Sequence, residues 1–160
     1  MDSLIAIRKA QPCDAAAIAA CLQSAFASFR TQYTAGAFAD TVLSAAGVLN
    51  RMAHMTIYAV VTPGGEIIGT VSYAIVDQVG HLRGMALLPP WQGHAIAEQL
   101  LHAVEDEMRA AGCLRITLDT TLPLRRATRF YERNGFLPSG NITDFFGMLL
   151  YEYEKPLHPA

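Results

Sequence analysis

The stretch His81-Leu82-Arg83-Gly84-Met85-Ala86-Leu87-Leu88-Pro89-Pro90-Trp91-Gln92-Gly93-His94-Ala95-Ile96-Ala97-Glu98-Gln99-Leu100-Leu101 decides how the rest of the chain is read. It passes from an apolar strand into a turn fixed by two prolines, then through a compact glycine/alanine segment into a long amphipathic helix that extends to Ala110-Ala111-Gly112. The first amides of such a helix have no intrahelical acceptors, and small side chains ahead of them let a ligand approach the backbone. The junction reads as a seat for an anion.

Working outward toward the C-terminus, residues 114–119 form the next strand, and the intervening helix makes it a parallel neighbour of strand 81–88. Pro123 opens a further helix over 124–134, stopped by Gly135. Residues 136–137 and 148–153 are a last pair of strands separated by a loop over 140–147. Toward the N-terminus, the β-branched and aromatic runs 56–61 and 67–76 flank Pro63-Gly64-Gly65-Glu66 as a hairpin, and 77–80 turn the chain into strand 81–88. A strand over 4–8 precedes them, then a helix from Ala15 carrying Ile18, Leu22, Ala25, Phe26 and Phe29, a connection over 29–34, and a second helix over 37–52.

With 160 residues, 52% of them hydrophobic, the chain suits one globular domain spanning 1–160. Its formal net charge of −2 is spread evenly, which leaves no footprint for nucleic acid or an anionic membrane surface. Three cysteines without paired or metal-type spacing fit buried thiols in a reducing compartment, and the five histidines form no ligand cluster, so no metal is expected. The apolar run after Met1-Asp2-Ser3 reaches only Ile7 before Arg8-Lys9, too short for a signal peptide, and no segment is long enough to span a bilayer. The expectation is a cytoplasmic protein acting on a small molecule or peptide.

The central stretch resembles the acyl-CoA-binding signature of the GNAT-type N-acetyltransferases, whose turn reads Gln/Arg-x-x-Gly-x-Gly/Ala after a strand ending in a sequence such as Leu-Ala-Val. Here Met85-Ala86-Leu87 stands at the strand end and Gln92-Gly93-His94-Ala95-Ile96-Ala97 at the turn, with Ala95 where the family has its first fixed glycine. Alanine permits close approach but resists positive φ. Ala127-Thr128-Arg129-Phe130-Tyr131-Glu132-Arg133-Asn134-Gly135-Phe136 is similar to the family's closing helix, although Leu124 stands where an asparagine is frequent. The resemblance covers essentially the whole chain. It implies an α/β (α+β) fold: a mixed, centrally splayed sheet of about six to seven strands flanked by about four helices. It implies acetyl-CoA as cosubstrate, bound by Met85, Ala86, Leu87 and residues 92–97, with transfer by direct attack to a primary amine of a small molecule or peptide. Many family members pair through the last strands, so a homodimer using Phe145-Phe146 and Met148-Leu149-Leu150 stands beside simple core burial of those residues.

By the same resemblance Tyr131 is the proton donor to the departing thiolate, while an ordinary helical tyrosine would merely pack on the sheet. An alkyl amine with pKa about 10.4 must lose a proton near neutrality, at a cost of about 4.6 kcal/mol. His81, four residues before Met85 and on the same strand face as Met85 and Leu87, is the candidate base, against a water chain with His81 as an edge residue. Arg125, Arg126, Arg129 and Arg133 crowd one short helix, either as a solvated face or with Arg125 or Arg126 meeting a phosphate or an acidic acceptor. The acceptor pocket is expected between residues 29–34 and 140–147. Two rivals remain: a non-catalytic domain of this architecture that senses acyl-CoA, and a Rossmann-like nucleotide binder. The second lacks the Gly-x-Gly-x-x-Gly turn.

Overall fold

The computed structural model describes residues 4–158, so the reading of Met1-Asp2-Ser3 as the start of a leaderless chain lies outside the described residues. Seven strands form one sheet: β1 (Ala6–Lys9), β2 (Thr56–Val61), β3 (Ile67–Val76), β4 (Val79–Leu87), β5 (Arg115–Thr120), β6 (Leu137–Phe145) and β7 (Met148–Pro156), in the spatial order β1-β2-β3-β4-β5-β7-β6. Every pairing is antiparallel except β4 with β5, which are joined by a helix and run parallel.

Five α-helices flank the sheet: α1 (Ala15–Phe26), α2 (Ala35–Thr41), α3 (Ala45–Met52), α4 (Ile96–Ala110) and α5 (Arg125–Arg133). The count exceeds the expected four because the helix anticipated over 37–52 is two. Val42 leaves the helical region and Ser44 caps the new start, its hydroxyl accepting from the Gly47 amide at 3.1 Å. Helix α1 stops at Phe26, and residues Ala27–Gln32 tighten into a 3₁₀ segment. The loop expected over 140–147 is also mostly strand. Strand β6 runs on to Phe145 because a register shift between Pro138 and Ile142 absorbs Gly140, leaving a tight turn at Phe146-Gly147. Leu137, Ile142, Phe146 and Leu149 are exposed on this last hairpin.

The sheet alternates its side chains between two cores. Tyr58 and Val60 of β2 face the layer built on α4 and α5, while Ile57 and Ala59 face α1 and α3. Helix α4 supplies the heaviest contribution, because Ile96, Leu100, Leu101, Val104 and Met108 recur at helical spacing and are fully buried. At roughly 1.5–3 kcal/mol each, these side chains hold α4 rigidly against the sheet. Glu105 sits among them and would be costly to bury alone, but its carboxylate accepts from Lys155 Nζ of β7 at 2.7 Å. This pair ties α4 to the far side of the sheet. No helix among the described residues is long and apolar enough to cross a membrane.

Candidate active site

The site lies where β4 and β5 part. Their pairing covers only Val79–Leu82 of β4 against Arg115–Leu118 of β5, although β4 continues to Leu87 and β5 to Thr120. Just past the last paired residue, the register between β3 and β4 shifts between Thr70 and Ser72, and Gly84 adopts φ 65°. That bulge turns β4 away from β5. Beyond it the Leu88 amide donates to the Ile68 carbonyl at 2.9 Å, toward β3. Strand amides alternate in direction, so those of Leu87 and Met85 point to the opposite side, into the gap. The splay implied for the sheet is therefore present, and it leaves donors where a thioester and its amide-bearing arm would lie.

The turn after β4 is held in place by Gln92. Its Nε2 donates to the Leu87 carbonyl at 3.0 Å, and its Oε1 accepts from Arg126 Nη1 at 3.2 Å, so one side chain links strand end, turn and α5. Gly93 (φ 83°) and Ala95 (φ 61°) both take the left-handed conformation, and Ala95 is the N-cap of α4. The first intrahelical bond is from the Gln99 amide to the Ala95 carbonyl at 3.1 Å, which leaves the amides of Ile96, Ala97 and Glu98 open at the helix start. Alanine thus does adopt the positive φ that it resists, at a local cost of about 1–2 kcal/mol.

Two cavities flank the parted strands. One of about 480 Å³ is lined by Met85, Ala86, Leu87, Gln92, Gly93, Ala95 and Ala97 together with Glu98, Arg126, Phe130 and Arg133, and by Phe29 from beyond α1. His94 and Ile96, from the same stretch, do not line it; the Ile96 side chain is buried under α4 and can offer only its amide. Of the four arginines on α5, Arg126 and Arg133 face this cavity and Arg125 and Arg129 do not. A second cavity of about 550 Å³ is lined by His81, Asp119, Arg51, Arg83, Tyr33 and Phe145-Phe146, among others. Phe26, Met85, Leu124, Ala127 and Tyr131 belong to both, so these residues form a shared wall. Open helix amides, two arginines and an apolar channel leading to that wall fit a phosphate-bearing thioester such as acetyl-CoA.

Tyr131 is 9% exposed, its ring edge-on to Phe130 at 5.5 Å and to Phe136 at 5.8 Å, and burial pushes its phenol well above the ordinary range. No fully buried side-chain oxygen is left unpaired among the described residues, so the Tyr131 hydroxyl, which pairs with none of them, opens onto the cavities. His81 is half-buried at the mouth of the second cavity, opposite Thr117 in the β4–β5 ladder, with Nδ1 2.7 Å from Thr117 Oγ1 and Nε2 3.4 Å from Asp119 Oδ2. In the tautomer with Nδ1–H donating to Thr117, the Nε2 lone pair is open, and a proton taken there gains the Asp119 carboxylate as a partner.

Sequence reasoning did not single out Asp119 or Thr117. They are two residues apart on β5 and so share a face, but only the strand register puts that face beside His81. Arg51, at the end of α3, was not anticipated either: no local pattern separates it from a solvated helix-end cation.

Residues 18–136 match the acetyltransferase (GNAT) family. The chain is 33% identical over 101 residues to an aminoalkylphosphonate N-acetyltransferase from Salmonella typhimurium strain LT2, covering 59% of this chain and 64% of that protein. It is 29% identical over 85 residues to an IAA acetyltransferase from Azospirillum brasilense, covering 52% of this chain and 56% of the other. The matched segments therefore span less than two thirds of either relative. The fold is similar to that of a PaiA N-acetyltransferase from Thermoplasma acidophilum solved in complex with coenzyme A, with a TM-score of 0.80 at 20% identity over 95% of this chain and 98% of that one. A splayed β4–β5 pair, a left-handed turn into α4 and a family match across most of the sheet converge, and the chain belongs to the acetyltransferase (GNAT) family.

Proposed function

We propose that the protein transfers an acetyl group from acetyl-CoA to a primary amine of a small molecule by direct attack, without an acyl-enzyme. The observation that carries this reading is the wall common to the two cavities, in which Tyr131 and Met85 face both sides. In this reading the diphosphate rests on the α4 amides with Arg126 nearby, and the thioester reaches the wall with its carbonyl oxygen at the outward amides of Met85 and Leu87. The amine enters from the other cavity and gives its proton to His81 Nε2, directly or through one water. The new C–N bond forms as the C–S bond breaks, and the Tyr131 hydroxyl donates a hydrogen bond to the departing sulfur. Asp119 bears on the charge that His81 acquires, and Thr117 fixes its ring. The name of one relative, an aminoalkylphosphonate N-acetyltransferase, supports a small amine acceptor.

The test is calorimetric titration with acetyl-CoA followed by mass spectrometry of amines incubated with enzyme and acetyl-CoA. Binding together with stoichiometric thiol release and amine acetylation is the expected result. Binding without turnover of any amine identifies a sensing domain instead.

A further inference from the structure

The amine cavity carries a charge pattern that acetyl transfer alone does not use. Arg51 projects from the last turn of α3 and is 9% exposed, yet no carboxylate among the described residues forms an ion pair with it. Its only hydrogen bond within the described residues is a long one of 3.5 Å from Nη2 to the Asp40 backbone carbonyl. The Asp40 carboxylate is taken instead by Arg83, in an ion pair at the rim. Burial, with Arg83 close by and Asp40 only partly offsetting it, pulls the Arg51 guanidinium down to about 10, so it is still a cation at neutral pH. A largely buried guanidinium whose charge is only partly offset is costly unless something binds it.

Its position is specific. A side-chain carbon added at Gly84 would lie 2.8 Å from Arg51 Nη1, so the guanidinium rests on the β4 bulge itself, one residue before Met85. His81 and Asp119 line the same cavity. His81 and Gly84 are three residues apart on one strand, a separation of about 10 Å before the side chains lean inward. The cavity therefore has an acidic, proton-accepting end and a cationic end, a short molecule's length apart. That is the complement of a zwitterion.

We infer that, granted the acetyl-transfer reading above, the acceptor is a compact amine that also bears an anionic group, phosphonate or carboxylate, and that Arg51 binds this anion while the amine faces His81. The planar fork of Arg51 suits two-point contact with either group.

The experiment compares aminoethylphosphonate, β-alanine and propylamine as acceptors for the full-length enzyme and its Arg51→Met and Arg51→Lys variants. The parent is expected to favour the two anionic amines, and the better of them identifies the anion. Arg51→Met is expected to raise KM for that amine by about 10²-fold, far more than it raises KM for propylamine, and to be partly rescued by Arg51→Lys. Methylphosphonate should inhibit the parent competitively against the anionic amine and not against acetyl-CoA, a readout that needs no folded variant. Equal use of all three amines by the parent, or methylphosphonate failing to compete with the amine, overturns the anion site while leaving acetyl transfer intact. Failure to bind acetyl-CoA or to release thiol with any amine overturns the underlying reading, and this one with it.

Discussion

Replacing Tyr131 with phenylalanine removes one oxygen from the wall between the two cavities and leaves the ring. Because Phe130 and Phe136 grip that ring edge-on and the hydroxyl opens onto the cavities with no partner among the described residues, stability should change by no more than about 1 kcal/mol. In a domain of this size that is a shift in Tm of roughly 2–4 °C at most. The kinetic effect follows from the direction in which burial moves the phenol. A free thiol has a pKa of about 8.5 and an ordinary phenol about 10, so complete transfer to the thiolate already runs uphill by about 2 kcal/mol. Burial raises Tyr131 further and steepens the climb. In the proposed role the hydroxyl therefore donates a hydrogen bond to growing negative charge, worth about 1.5–3 kcal/mol, or roughly 10- to 150-fold in kcat. This sits at the lower edge of the range of about 10²–10⁴ for full general-acid catalysis. Thiol release at saturating acetyl-CoA and amine measures it, with kcat and kcat/KM expected to fall together. A variant that melts with the parent and turns over at the parental rate refutes the role.

Four further outcomes are expected. His81→Ala should abolish the acidic limb of the pH profile of kcat/KM, and Asp119→Asn should lower kcat by about tenfold with less effect on KM; a retained acidic limb would assign the proton to a water chain. Ala95→Gly relieves a left-handed alanine worth about 1–2 kcal/mol against about 0.5–1 kcal/mol of added chain entropy, so thermal unfolding should show equal or slightly higher stability, and a clear loss would contradict the strain. Asp14 accepts two bonds from Arg8, at 2.8 and 3.1 Å, and one from the Gln11 amide at 2.7 Å, which hold its carboxyl below the usual range against the opposing effect of burial. Its contribution is thus complete above the unfolded carboxyl's pKa and lost as pH falls through the depressed value. Asp14→Asn should cost about 1–3 kcal/mol near neutrality by urea unfolding, and the gap to the parent should close in acid.

The parts of this molecule that were legible in sequence are those specified locally. Strands β2 and β3 have the very ends that their β-branched runs and the Pro63–Glu66 turn indicate, because alternation and turn chemistry act within a few residues. Strand β4 begins and ends within two residues of expectation, and α4 starts at the small-residue turn. What failed depended on longer range. The split between α2 and α3 hangs on whether Ser44 caps a helix or decorates one, and only the packing of α3 on α1 decides it. The extension of β6 through Gly140 and Asn141 is enforced by its partner β7, against the turn propensity of those residues. The site divides in the same way. Met85, Ala86, Leu87, Gln92, Gly93, Ala95 and Ala97 lie in one contiguous motif that sequence can mark, whereas Phe130 and Arg133 on the cofactor side, and Asp119 and Arg51 on the other, are brought in by register and by helix packing, which leave no mark on neighbouring residues.

The wall formed by Phe26, Met85, Leu124, Ala127 and Tyr131 has one more consequence, for inhibitor chemistry. A partition thin enough for an acyl group to be handed across it is thin enough to be straddled. A single compound tethering a pantetheine-like arm to an anionic amine-like arm would occupy both chambers at once, and the second arm would bind at the effective concentration set by the tether. Such coupling can exceed either arm's own affinity by about 10²–10⁴-fold without a new contact. The tether that gains most would be the one whose length matches the span between the two chambers across this wall.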